Sequence, residues 1–274
     1  MTGTRVDAAL HKLFPEYSRA KIQSWINDGH VLVDGKSLPS KKKLVGGEII
    51  LLEPQTDEEL SQYIPEEIPI QIVYEDADIL IVNKKQGMVV HPAAGNWGGT
   101  LLNSILFHYP KNEILPRAGI VHRLDKDTSG LMVVAKNLIA QQNLIKQLQA
   151  RTVKREYRAI VWGQVWKNGT VNQPIGRHPT IRVKMAVNNI HGKDSITHYE
   201  VLERFGHHTY LRCNLDTGRT PQIRVHMHHI QSPIVGDSTY GMKKIIPLKK
   251  LSTKLKEEVF NFPRQALHAI KLGL

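Results

Sequence analysis

The sequence has almost no cysteine, no long apolar run and a shortage of acid. A single cysteine, Cys213, among 274 residues excludes an intrachain disulfide and a cysteine-cluster metal site. No apolar stretch approaches the ~18 residues of a membrane-spanning helix. Residues Met1 to Asp7 lack the apolar core of a signal peptide, so a reduced cytoplasmic protein is the expectation. Internal repeats and low-complexity tracts are also missing. What is present is ordinary globular material, 41% hydrophobic and 23% charged, which excludes a disordered chain. Its length allows one large domain or two unequal ones. Lysine and arginine number 37 against 25 acidic residues, a net charge of +12. That excess suits a polyanion such as nucleic acid, or an anionic membrane surface. No strongly basic amphipathic helix supports the membrane alternative.

Residues 1–52 read as a small unit. Val6, Ala9, Leu10, Leu13 and Phe14 recur at helical spacing, and Pro15 closes the segment. Ser18 can cap a second helix carrying Arg19, Lys21, Ile22, Trp25 and Ile26, which stops at Gly29. Val31 to Lys36 predicts a strand turning at Asp34-Gly35, and Glu48 to Leu52 a closing strand. The order Arg5-Val6-Asp7, Ser18-Arg19, Gly29 to Lys36 and Gly47-Glu48-Ile49-Ile50 resembles the S4 RNA-binding domain. That resemblance implies RNA contacts at Arg5, Ser18, Arg19, Lys21 and Lys36, in keeping with cations placed against phosphates. The family usually has Asn where Asp34 stands and Asp where Glu48 stands. The unit's net charge is only +3.

Residues 53–65 are polar and acidic and read as a linker. Residues 66–274 form the larger domain, and the span 65–274 carries +13. Strands are predicted at Ile70–Tyr74, Ile79–Lys84, Leu131–Ala135, Tyr157–Trp162, Thr197–Leu202 and Thr209–Leu215. Helices are predicted at Leu101–His108 and Asn137–Ala150. Few helices scattered among many strands imply an α+β fold with a mixed or antiparallel sheet.

Three stretches carry chemistry. His122-Arg123-Leu124-Asp125-Lys126-Asp127-Thr128-Ser129-Gly130 packs charged and hydroxyl groups directly before an apolar strand. Taken alone, Asp125 reads as nucleophile, general base or plain turn residue, the turn being the more common use. In the loop Asp216 to His226, Arg219 and Arg224 flank Pro221 and can pair with a carboxylate or phosphate. The adjacent His226, His228 and His229 lack the partners of a metal site. Tyr157, within Lys154-Arg155-Glu156-Tyr157-Arg158-Ala159, can stack on a base or serve as a cross-strand packing residue.

Together these stretches resemble the RluA-type RNA pseudouridine synthases, in particular the S4-bearing branch acting on large-subunit ribosomal RNA. Supporting segments include Val82-Asn83-Lys84, Gly87 to Pro92, Gly99-Thr100-Leu101, Ile175-Gly176-Arg177, Val235-Gly236-Asp237, Tyr240-Gly241 and Leu267-His268-Ala269. The resemblance implies that Asp125 is the catalytic aspartate and that Arg123 enters the RNA helix where the target base leaves. It implies that Tyr157 stacks on the flipped uracil and can deprotonate C5, and that Arg224 pairs with the aspartate. RNA contacts at His122, Thr128 and Arg219 are implied as well. No cofactor or metal is expected, since the reaction involves neither electron transfer nor energy input. The partner is ribosomal RNA, with transfer RNA or a noncatalytic RNA-binding role as alternatives, and a monomer is the expectation. Pro221 stands where the family usually has His, and Lys85 where it usually has Pro. Family members usually continue past the Leu267-His268-Ala269 segment with a further strand, so this chain reads as short at its C-terminal end, and the missing strand is expected to expose a sheet edge.

Overall fold

Helix α1 (Val6–Leu13) buries the Val6, Ala9 and Leu10 stripe that its spacing announces, and α2 (Arg19–Asn27) buries Ile22, Trp25 and Ile26. These are drawn from a computed structural model describing residues 2–15, 17, 19–53, 63–93, 96–181, 183–241 and 252–274. Ser18 and most of the linker stretch lie outside the described residues. The chain divides into two units, Met1–Gln62 and Tyr63–Leu274.

In the first unit β1 (Val31–Val33) pairs antiparallel with β2 (Ile50–Leu52), Val31 opposite Leu52. Val31, Val33 and Leu44 complete a core with both helices. Asp34 takes a left-handed φ of 50° at the turn, and its carboxylate accepts the Ile49 N–H at 2.9 Å. Glu48 likewise accepts the Val45 and Gly46 N–H groups. Both departures from the S4 pattern therefore serve backbone donors.

The second unit is built on eight strands: β3 (Gln71–Glu75), β4 (Ile79–Lys84), β5 (Ser129–Ala135), β6 (Lys154–Trp162), β7 (Gly169–Asn172), β10 (Ile196–Arg204), β11 (His208–Leu215) and β12 (Leu267–Gly273). Their order is β3-β4-β5-β12-β6-β11-β10-β7, and only β12 with β5 runs parallel, so the sheet is mixed. Strands β8 (Ile175–Arg177) and β9 (Met185–Val187) form a separate ribbon. Helices α3 (Leu101–His108) and α4 (Leu138–Gln149) begin at side-chain caps, Thr100 accepting from the Asn103 N–H and Asn137 from the Ala140 N–H. Two more helices follow, α5 (Gln222–His229) and α6 (Thr253–Phe260).

Residues 222–226, read from the sequence as loop, are in fact the start of α5. The helical period was hidden because two of its buried positions are polar, Gln222 and His226, each satisfied by hydrogen bonds. Strand β12, which carries Leu267-His268-Ala269, lies in the middle of the sheet between β5 and β6. Gly130 makes that close pairing possible: a Cβ there would strike the Ala269 backbone, and its φ is 122°.

Candidate active site

The loop before β5 is clamped from several directions. Lys84, buried at the end of β4, donates to the carbonyls of Lys85 (2.9 Å), Met88 (2.9 Å) and Lys126 (3.0 Å). Burial brings its ammonium down to about 8, against the nearby charges of Asp127 and Asp125. Thr128 is 2% exposed, and its hydroxyl accepts from Gln265 Nε2 at 3.0 Å. Ser129 Oγ meets His268 Nδ1 at 2.9 Å. His122 Nε2 accepts the Val133 N–H at 3.1 Å, and burial, then the Arg155 charge, lowers its pKa to about 4. His122 and Thr128, expected at RNA, are therefore placed as anchors of the loop. Asp125 lies between these anchors, at the turn of the loop.

Asp125 meets α5. Arg224 Nη1 donates to Asp125 Oδ2 at 2.8 Å, while its Nε and Nη2 donate to Asp237 at 2.6 and 2.9 Å. Its guanidinium also faces the Tyr240 ring, 5.1 Å from the centroid. Asp237 is fully buried and accepts two further N–H groups, from Thr239 and Tyr240. Burial alone would raise its carboxyl, but Arg224 and the two amides override it and hold it below the usual range. Burial likewise opposes the charge on Arg224, and the two carboxylates, Asp237 first, hold that guanidinium above its ordinary value. The fork is thus fixed at one end by a permanent carboxylate and offers its other edge to Asp125. Gln222 anchors the first turn of α5 by donating to the Ile196 carbonyl and accepting the Arg219 N–H.

Tyr157 sits on β6 with Cys213 on one side and Ala269 on the other, and is 8% exposed. Burial pushes its phenol up to about 12, Arg155 opposing and Asp125 adding. At neutral pH its phenol is protonated. Arg123 and Arg219 are exposed.

In the first unit Arg5 and Arg19 do not point free. Both guanidinium groups donate to the carboxylate of Asp7, which is 0% exposed and takes a further hydrogen bond from Gln23. Lys21 lies over the Trp25 ring, and Lys36 is exposed beside the turn. Asp7, Lys84, Arg155, Asp237 and Gln265 were not singled out by sequence reasoning. Asp7, Lys84, Arg155 and Asp237 each stood in a stretch that carried a resemblance, but without a role of their own; Gln265 stood in none. His226, in the histidine group weighed for metal, is buried between Thr197 Oγ1 (2.8 Å) and the Gln173 carbonyl (3.0 Å). Among the described residues no group of three or more metal-ligating side chains converges.

A carboxylate held by a buried arginine fork beside a mixed sheet belongs to an RNA-modifying enzyme once its relatives are set beside it. The pattern of the RNA pseudouridylate synthase family matches residues 78–229, a span from the turn before β4 to the end of α5, and the S4 domain pattern matches residues 4–50. The ribosomal large subunit pseudouridine synthase D of Yersinia pestis is 51% identical over 99% of this chain and 83% of its own length. The protein of the same name from Escherichia coli (strain K12) is 51% identical over the same shares, and that of Neisseria meningitidis serogroup B is 50% identical over 100% and 72%. Among solved structures, human RNA pseudouridylate synthase domain containing 1 is 28% identical, with a TM-score of 0.56 over 74% of this chain and 78% of that one. The chain belongs to the RNA pseudouridylate synthase family, joined to an S4 domain.

Proposed function

We propose that the chain converts specific uridines of large-subunit ribosomal RNA to pseudouridine, with Asp125 as the reacting carboxylate. The observation that carries this reading is the Arg224 fork, tied to buried Asp237 and aimed at Asp125. A guanidinium 2.8 Å from the carboxylate fixes its direction. Ionised, Asp125 can attack C1′ of the target ribose or take the C2′ proton, and either act releases the uracil from its C1′–N1 bond. The uracil then turns and C5 joins C1′; the C5 proton is lost and N1 gains one. No electrons are transferred overall, so residues suffice without a cofactor.

A uridine within a helix is reached only by flipping, at a few kcal/mol. Exposed Arg123, two residues before Asp125, fills the space the base leaves and offsets part of that cost. Tyr157 supplies the face on which the flipped ring stacks. The names of the relatives support ribosomal rather than transfer RNA as substrate. The same reading makes the enzyme a cytoplasmic monomer.

The test is Asp125→Asn with pseudouridine mapping in total RNA. The variant is expected to form none while RNA binding largely survives, and the pseudouridines lost on deleting the gene are expected in large-subunit RNA. A normal rate in the variant overturns the role of Asp125, and losses confined to transfer RNA overturn the substrate.

A further inference from the structure

Arg155 has no use in the account so far. It lies on β6 two residues before Tyr157, on the strand face shared by Tyr157, Ala159 and Val161. Successive residues on one face are about 6.6 Å apart. Its Nε is buried without a hydrogen-bond partner, and no carboxylate pairs with it among the described residues. Burial lowers its pKa, with Tyr157 and Asp216 opposing. Asp216 acts only through space, because its own carboxylate accepts from His198 Nε2 at 2.9 Å. The guanidinium occupies the room left by Gly218, where a Cβ would collide with it. A desolvated cation with an unmet donor costs stability unless something anionic arrives to meet it.

We infer that Arg155 contacts the flipped uracil and stabilises the negative charge the ring carries when the C1′–N1 bond breaks. The inference rests on the function proposed above. When that bond breaks, its electron pair stays on N1 and spreads to O2 and O4. The ribose carbon is satisfied meanwhile by a bond to Asp125 or by loss of the C2′ proton. When C5 takes the place of N1, the charge on the ring is discharged by the proton gained at N1. Donors placed where charge develops act most strongly in a dry cleft. Tyr157 feels both Asp125 and Arg155, with opposite sign. A uracil stacked on Tyr157 lies one same-face position, about 6.6 Å, from the strand position of the Arg155 guanidinium. Backbone phosphate is the competing anion. Phosphates are met by exposed cations such as Arg123 and Arg219, whereas the Nε of Arg155 is buried beside the Tyr157 face on which the base would stack.

The experiment compares wild type, Arg155→Gln, Arg155→Lys and Asp125→Asn on one target RNA. It measures affinity, thermal stability and the single-turnover rate of C1′–N1 cleavage, with uridine and with 5-fluorouridine at the target position. Fluorine withdraws electrons, so its ring anion needs less help. Arg155→Gln is expected to lower the uridine rate about 100-fold, with affinity within about threefold and a clearly smaller deficit on 5-fluorouridine. Arg155→Lys is expected to fall between, and it carries the test if the Gln variant does not fold. A loss confined to affinity, with a normal saturated rate, assigns Arg155 to phosphate and overturns the inference. Equal deficits on both substrates overturn it as well. Failure of the wild type, or full activity in Asp125→Asn, overturns the underlying function instead.

Discussion

Protonating His122 would release the loop of Asp125 from the sheet. Its Nε2 must stay bare to accept the Val133 N–H, so the neutral ring carries its proton on Nδ1. The folded ring titrates at about 4, whereas an unfolded imidazole titrates near 6.5. Between those values the unfolded chain binds more protons, so this contribution is complete above about pH 6.5 and is lost as pH falls toward 4. His122→Gln keeps an acceptor and removes the titration. The melting-temperature advantage of wild type over this variant should therefore shrink between pH 7 and pH 4.5, and a constant difference would contradict the assignment. Asp237 makes a second residue-scale case. Asp237→Ala strips Arg224 of two of its three donor bonds and should cost about 3 kcal/mol in denaturant unfolding. The sequence made Asp125, Tyr157 and Arg224 legible through their motifs, but not Asp237, Lys84 or Arg155. Those three act through burial and through partners distant in the chain, which spacing along one stretch does not register.

Helix α1 packs on α2 around a charge as well as around apolar side chains. Asp7 holds Arg5, Arg19 and Gln23 from inside the first unit. Two arginines expected to grip RNA are thus largely spent on joining the ends of two helices. Asp7→Ala should destabilise this unit by about 1–3 kcal/mol through the lost hydrogen bonds, seen as faster hydrogen exchange confined to residues of α1, α2 and β1 in the full chain. Replacing Lys41, Lys42 and Lys43 by alanine, all exposed on one loop, should do the reverse. Stability should hold, while the salt dependence of RNA binding loses up to about 0.9 per lysine that met a phosphate. If the triple change left the salt slope unaltered, that loop would not face RNA. The amphipathic α1 and α2 and the alternating β4 were readable because their buried faces are apolar. Helix α5 was not, since Gln222 and His226 fill core positions with satisfied polar groups. The short strands β7, β8 and β9 offer too few residues for a period to emerge.

Charge and connectivity are properties of the whole chain, and they divide the labour unevenly. The last strand, β12, is held inside the sheet, and Gln265 and His268 fasten Thr128 and Ser129 of the Asp125 loop from about 140 residues away. The Asp125 loop is thus fastened only when β12 has joined the sheet. Charge follows the same unit: residues 65–274 carry +13, and residues 1–52 only +3. Each phosphate neutralised contributes about 0.9 to the slope of log affinity against log salt on duplex nucleic acid. A chain lacking residues 1–52 should therefore bind its RNA more weakly, with a slope shallower by about 0.9 for each phosphate those residues neutralise. It should still form pseudouridine at saturating RNA, because Asp125, Arg224, Tyr157 and every group that positions them belong to Tyr63–Leu274. Affinity titrations between low and physiological salt, run beside single-turnover rates, separate the two effects. A slope that collapses toward zero on truncation would move the main grip on RNA to the smaller unit, and an unchanged slope would leave that unit without an electrostatic part in binding.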